Sequence, residues 1–161
     1  MQTLSPEKIH ESLRLIQAHD PRLGSERDSL QRLWDAGRLR RRFESLDRFY
    51  QNHKSEFYQL QENQPATLGL IELAKLLVIQ KVVVDRIAET FDQLKEIESE
   101  IWIQGERGNL DRERIACDWA MSHARIWREW RLKEYLFVVE RMEPQLRRSL
   151  ALDSGPNQPQ S

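Results

Sequence analysis

Glu7 and His10 lie three residues apart, the spacing at which a helix holds a carboxylate and an imidazole side by side. Carboxylate-bridged di-iron bundles use such a pair, but they need two copies of it and further inward-facing glutamates. No second Glu-x-x-His occurs in the chain, so the pair reads as a solvated helix face and no metal is expected. His123 has the chemistry of a general base or a ligand. Spacing sets no carboxylate or thiol beside it, and Cys117, six residues away, falls on another helical face. It reads as a core or boundary histidine. The sequence has no Gly-rich phosphate loop, no Gly-x-Ser-x-Gly, no kinase signature and no His-Glu-x-x-His. The expectation is a protein that is not an enzyme and carries no cofactor.

Binding chemistry has two candidates. Arg38, Arg40, Arg41 and Arg42 form the one strong basic cluster, and arginines on adjacent turns attract phosphate. Asp35, Glu44 and Asp47 flank them, and Leu39 and Phe43 tie them to a packed helix, so nucleic-acid binding is the secondary expectation. Arg125-Ile126-Trp127-Arg128-Glu129-Trp130-Arg131 interleaves aromatics with arginines, as single-strand binders do. Helical geometry separates them: Trp130 points with one apolar stripe, Arg125 and Arg128 lie on the other side, and Trp127 sits at the edge.

Composition narrows the class. The chain has 161 residues, with 25 basic and 26 acidic groups and a formal net charge of −1. That balance disfavours a protein dedicated to coating nucleic acid, and an apolar content of 39% with five tryptophans is too rich for global disorder. A lone cysteine excludes an intramolecular disulfide and a multi-thiolate zinc site. The opening Met1-Gln2-Thr3-Leu4-Ser5-Pro6 does not read as a signal peptide. The most apolar run, 68–84, carries Glu72, Lys75 and Lys81, so it does not read as a membrane span. The expected location is the cytoplasm.

The elements follow from caps and periodicity. Ser5-Pro6-Glu7 opens a short helix that ends at Asp20-Pro21-Arg22-Leu23-Gly24. A long helix is expected from about Ser25, as its cap, to Gln61, on a seven-residue repeat of Phe43, Leu46, Tyr50, Phe57 and Leu60. Gly37 is the place where it would kink or break. A third helix is expected from about Ala66 to Ile103; the β-branched Val78, Ile79, Val82 and Val83 could suggest a strand, but Leu70, Leu73, Leu77, Val84, Ile87, Phe91, Leu94 and Ile101 keep the repeat on both sides. Glycines at 105 and 108 turn the chain into a fourth helix from about Leu110 to Met142. Across that turn Glu96, Glu98 and Glu100 meet Arg112 and Arg114, which favours antiparallel pairing. No internal repeat is evident.

Together these predict an all-α fold: an antiparallel, coiled-coil-like bundle of three long helices plus a short N-terminal helix over residues 1–150, with a disordered polar tail at 151–161. The fourth helix carries two apolar stripes. Trp119, His123, Ile126, Trp130 and Phe137 form the first, expected to be core. Leu132, Tyr135, Leu136, Val139 and Met142 form a second, roughly opposite. A helix apolar on two sides is either sandwiched or binds something. The sequence reading takes the second stripe, with Trp127, as a partner-binding surface for another protein or a second copy. The function expected is that of an adaptor, assembly factor or small subunit, working by contact.

Overall fold

In a computed structural model that describes residues 6–150, the chain is helical throughout and has no strand among those residues. The eight helices are α1 Pro6–His19, α2 Ser25–Asp35, α3 Arg40–Asn52, α4 Lys54–Glu62, α5 Leu70–Lys81, α6 Arg86–Glu106, α7 Arg112–Val139 and α8 Glu143–Ser149. Ser5 and the tail at 151–161 lie outside the described residues.

Two of the three expected long helices are broken, each for a local reason. The segment 25–61 is three helices. Gly37, at φ 74°, ends α2 in a Schellman turn, with Arg38 N–H donating to the Leu33 carbonyl at 2.9 Å and Gly37 N–H to Trp34 at 3.0 Å. His53 then separates α3 from α4, its ring tilted 33° against that of Phe49 with centroids 4.4 Å apart. Ser25 is the first helical residue of α2 rather than its cap, and the Glu26 carboxylate accepts from Arg22 N–H instead.

The segment 66–103 breaks at 82–85. Val82 takes φ 66°, ψ −50°, and Val83 N–H donates to the Lys81 carbonyl across it, which closes a γ-turn. β-branched side chains lose rotamer freedom in a helix. Asp85 immediately offers a better start, accepting from Ala88 N–H at 3.1 Å, while Glu89 accepts from Asp85 N–H at 3.0 Å. The periodicity thus continues past a real break.

Contacts divide the described residues into two compact units: residues 6–84 with 132–150, and residues 85–131. In the larger unit Leu46, Tyr50, Phe57 and Leu60 of the predicted repeat are buried, joined by 73–79 of α5 and by Leu146 and Leu150. Tyr50 O–H donates to the Ala74 carbonyl at 2.8 Å, and burial holds its phenol well above the ordinary value. At the end of α7, Glu140 accepts from Lys75 at 2.6 Å and from both guanidinium nitrogens of Arg27, at 3.0 and 2.9 Å; Asp20 completes the set on Lys75 at 2.9 Å. The smaller unit is a helical hairpin of α6 and the first twenty residues of α7, turned by Gly108 at φ 94°. Arg112 donates to Glu98 at 2.9 Å, one of the cross-turn pairings expected from the sequence.

Burial pushes the Glu140 carboxyl up, but the hydrogen bonds from Arg27 and Lys75 outweigh it and bring it down to about 2. The folded value lies below the ordinary one, so Glu140 stabilises the fold at pH above the unfolded carboxylate range. That contribution, on the order of 3 kcal/mol, should fade as pH falls from about 4.5 toward 2. Urea titrations of the full chain across that range should show the loss, and Glu140→Gln should flatten it while lowering stability at neutral pH.

Candidate functional site

The last turns of α7 carry the second predicted stripe, and the structure buries it. Leu132, Tyr135, Leu136, Val139 and Met142 all lie in the core of the larger unit. The expectation of an open docking face there is corrected: the helix is apolar on two sides because it is surrounded. Lys133 donates to Glu26 of α2, the Arg42 guanidinium of α3 to Glu134, and Arg141 to Gln31 of α2, with Lys75 of α5 closing the ring at Glu140. Polar groups at the rim mark where the neighbouring helices enclose an apolar centre. Trp127, assigned to the same surface by sequence, belongs to the hairpin. It is half-buried, with the Arg131 guanidinium 4.5 Å above its ring, and Arg131 in turn donates to Asp92 of α6 at 2.8 Å.

The first stripe does not form one buried face either. Trp119 and Phe137 are buried, Trp130 is half-buried, His123 is exposed, and Ile126 is 70% exposed. The His123 ring stacks on Trp119, centroids 6.0 Å apart and 21° from parallel. These two residues line a cleft of about 230 Å³ with Glu100, Gln104 and Asp118. The stripe divides because residues 119–130 belong to a two-helix hairpin while Phe137 belongs to the larger unit.

Of the arginine cluster, Arg42 is committed to Glu134 at 2.8 Å and Arg40 pairs with Glu44 at 3.5 Å, whereas Arg38 and Arg41 are exposed. Leu39 between them is buried. Trp34, Gly37, Arg40, Phe43 and Glu44 line a shallow, mostly apolar cleft of about 340 Å³ beside the cluster. Glu7 and His10 are exposed on α1, and among the described residues no three His, Cys, Asp or Glu side chains converge in a way that would hold a metal ion. Among those residues, no helix is long and apolar enough to cross a membrane.

The surface that sequence periodicity misplaced is on α6. Ile87, Phe91 and Leu94, expected as core seam, are 83%, 55% and 53% exposed, and Trp102 is 68% exposed. With Lys95 and Glu98 they recur at steps of four, three, one, three and four, so they share one face. The opposite face, which turns toward α7, is mostly polar, with Ile97 and Ile101 half-buried at its edge. Glu89 is buried there, and Asp92, Gln93, Glu100 and Gln104 are half-buried. Those groups are served locally: Glu89 by Asp85 N–H, Asp92 by Arg131, and Glu100 by the Gln104 amide at 2.8 Å. α6 therefore turns a largely polar side inward and an aromatic-aliphatic stripe outward. Lys95 folds back over the Phe91 ring at 4.8 Å, a cation–π contact lying along the stripe. The signal was present in the sequence. The five polar residues keep helical spacing as faithfully as the apolar ones do, and an apolar repeat alone does not say which face has a partner.

Neither protein-family models, curated proteins nor solved structures yield a match to this chain.

The two apolar surfaces of the chain should respond oppositely to charge. Leu136→Glu or Val139→Glu places a carboxylate in a dry core and should abolish cooperative unfolding and much of the helical circular dichroism. Phe91→Glu should leave both near wild type, changing stability by less than about 1 kcal/mol. Equal damage from Phe91→Glu would contradict its exposure.

Proposed function

We propose that this protein is a non-enzymatic helical interaction protein, an adaptor, assembly factor or small subunit of a larger assembly, and that its working surface is the outward stripe of α6. The observation that carries this reading is the run of Ile87, Phe91, Leu94 and Trp102 on one exposed helical face. Several large apolar side chains sharing one face at this exposure mark interaction surfaces, whereas single exposed ones are ordinary. Aromatics flanked by charged groups are also what interface hot spots are built from. The docking mode is helix against helix, with anchors at i, i+4, i+7 and further along the same face. The reading keeps the protein in the cytoplasm, where Cys117, exposed on α7, remains a free thiol.

A lesser reading is a nucleic-acid-associated subunit. Exposed Arg38 and Arg41 next to the Trp34–Phe43 cleft give phosphate-binding and base-stacking chemistry side by side. Commitment of Arg42 to Glu134 and pairing of Arg40 with Glu44 leave it the weaker of the two. Binding to single-stranded RNA at low salt, falling steeply with ionic strength and lost in the Arg38→Ser/Arg41→Ser chain, would raise it above the first.

The apparent mass of the full chain in extracts of its native host tests the main reading. Wild type should travel above monomer mass, and Phe91→Glu should shift it to the monomer position without loss of fold. A mass unchanged by Phe91→Glu would overturn the assignment of α6 as the working surface.

A further inference from the structure

We infer that the outward stripe of α6 pairs with the same stripe of a second copy of this chain, antiparallel, about a twofold axis passing between Glu96 and Ile97. The inference rests on the reading of α6 as the working surface and adds the identity of its occupant. Two features of the stripe select it.

The first is charge. Lys95 and Glu98 lie in the middle of the apolar row, 95 toward its N-terminal half and 98 toward its C-terminal half. Run antiparallel about that axis, Lys95 of one copy faces Glu98 of the other, and the pair occurs twice by symmetry. Run parallel, Lys95 would face Lys95 and Glu98 would face Glu98, and like charges at a seam oppose association. Both charges are held where this needs them. Lys95 lies over the Phe91 ring at 4.8 Å, and one Arg112 guanidinium nitrogen donates to both Glu98 oxygens, at 2.9 and 3.3 Å, while the carboxylate stays exposed with further acceptor capacity. A partner of unrelated sequence would have to supply this plus–minus order; a second copy supplies it automatically.

The second is shape and area. The same axis sets Phe91 of one copy against Trp102 of the other, again twice. The two largest side chains of the stripe therefore meet across the twofold in pairs. α6 has 21 residues and so is about 32 Å long. With aromatics covering about 150–250 Å² each when buried, two copies of a stripe holding Phe91, Trp102, Ile87 and Leu94 remove on the order of 1,000 Å² from water. That is about the lower bound for a specific interface, so the pairing is predicted to be a micromolar, concentration-dependent one rather than an obligate dimer.

Sedimentation equilibrium of the full chain, from about 1 µM to 1 mM in low salt, tests this, with circular dichroism as the folding control. Wild type should pass from monomer to dimer across that range. Lys95→Glu sets a carboxylate against Glu98 of the other copy and should weaken the dimer at least tenfold. Glu98→Lys should do likewise by setting a second ammonium group against Lys95. The double swap Lys95→Glu/Glu98→Lys restores opposite charges only in the antiparallel arrangement and should recover most of the lost association. A wild-type chain that stays monomeric at 1 mM overturns the self-pairing, and so does a double swap no better than either single variant. Neither outcome bears on the broader reading of α6, which falls only if Phe91→Glu leaves the assembly in native-host extracts unchanged.

Discussion

Glu140 is the group on which the larger unit converges. It stands just after the last turn of α7 and accepts from Lys75 on α5 and from Arg27 on α2, while Lys75 reaches Asp20 at the end of α1. Four segments distant in sequence are thus tied at one set of charges, each close to buried apolar surface. Removing one partner would strand another charge without compensation, which costs far more than the pair contributes in net terms. The consequence is geometric. Holding the end of α7 at this point keeps Leu132, Tyr135, Leu136 and Val139 enclosed, and the two-sided apolarity of that stretch becomes the centre of a core instead of a surface.

Residues 85–131 follow a different rule. A two-helix hairpin can cover only one side of each helix, and α6 gives most of that side to polar groups. Glu89, Asp92, Gln93, Glu100 and Gln104 face inward, with Arg131 and the Asp85 turn among their partners. Such an arrangement limits the hydrophobic contribution of the hairpin to Ile115 and Trp119 of α7 and half-buried Ile97 and Ile101 of α6, and leaves Ile87, Phe91, Leu94 and Trp102 in water. Two helices alone bury too little surface to be more than marginal in any case. On the proposed reading, covering the outward stripe would add apolar burial to the hairpin and couple its stability to association. A surface that gains stability on being covered is the physical content of working by contact.

Much of the fold was legible in the sequence, and what was not has identifiable causes. The all-helical class, the glycine turn at 105–109, the weak point at Gly37 and the Glu98–Arg112 pairing all follow from local rules of caps, periodicity and helix dipoles. The breaks at His53 and at Val82–Asp85 did not, because a seven-residue repeat can run in phase across a short interruption. Asp85, a good N-cap with Glu89 placed to return to its backbone N–H, was the cue. The candidate surfaces were exchanged for a related reason. Apolar spacing marks a face that needs cover, and long-range topology decides whether the chain provides it. For Leu136 and Val139 it does; for Phe91 and Leu94 it does not.

The central claim is that α6 turns its apolar face outward in the isolated chain. Hydroxyl-radical footprinting of the unmodified protein at submicromolar concentration measures this side chain by side chain. Rapid oxidation is predicted at Phe91 and Trp102 alongside protection of Phe137 and Leu136, with the α6 signals becoming protected as concentration rises. Phe91 and Trp102 as well protected as Phe137 at the lowest concentration would contradict it.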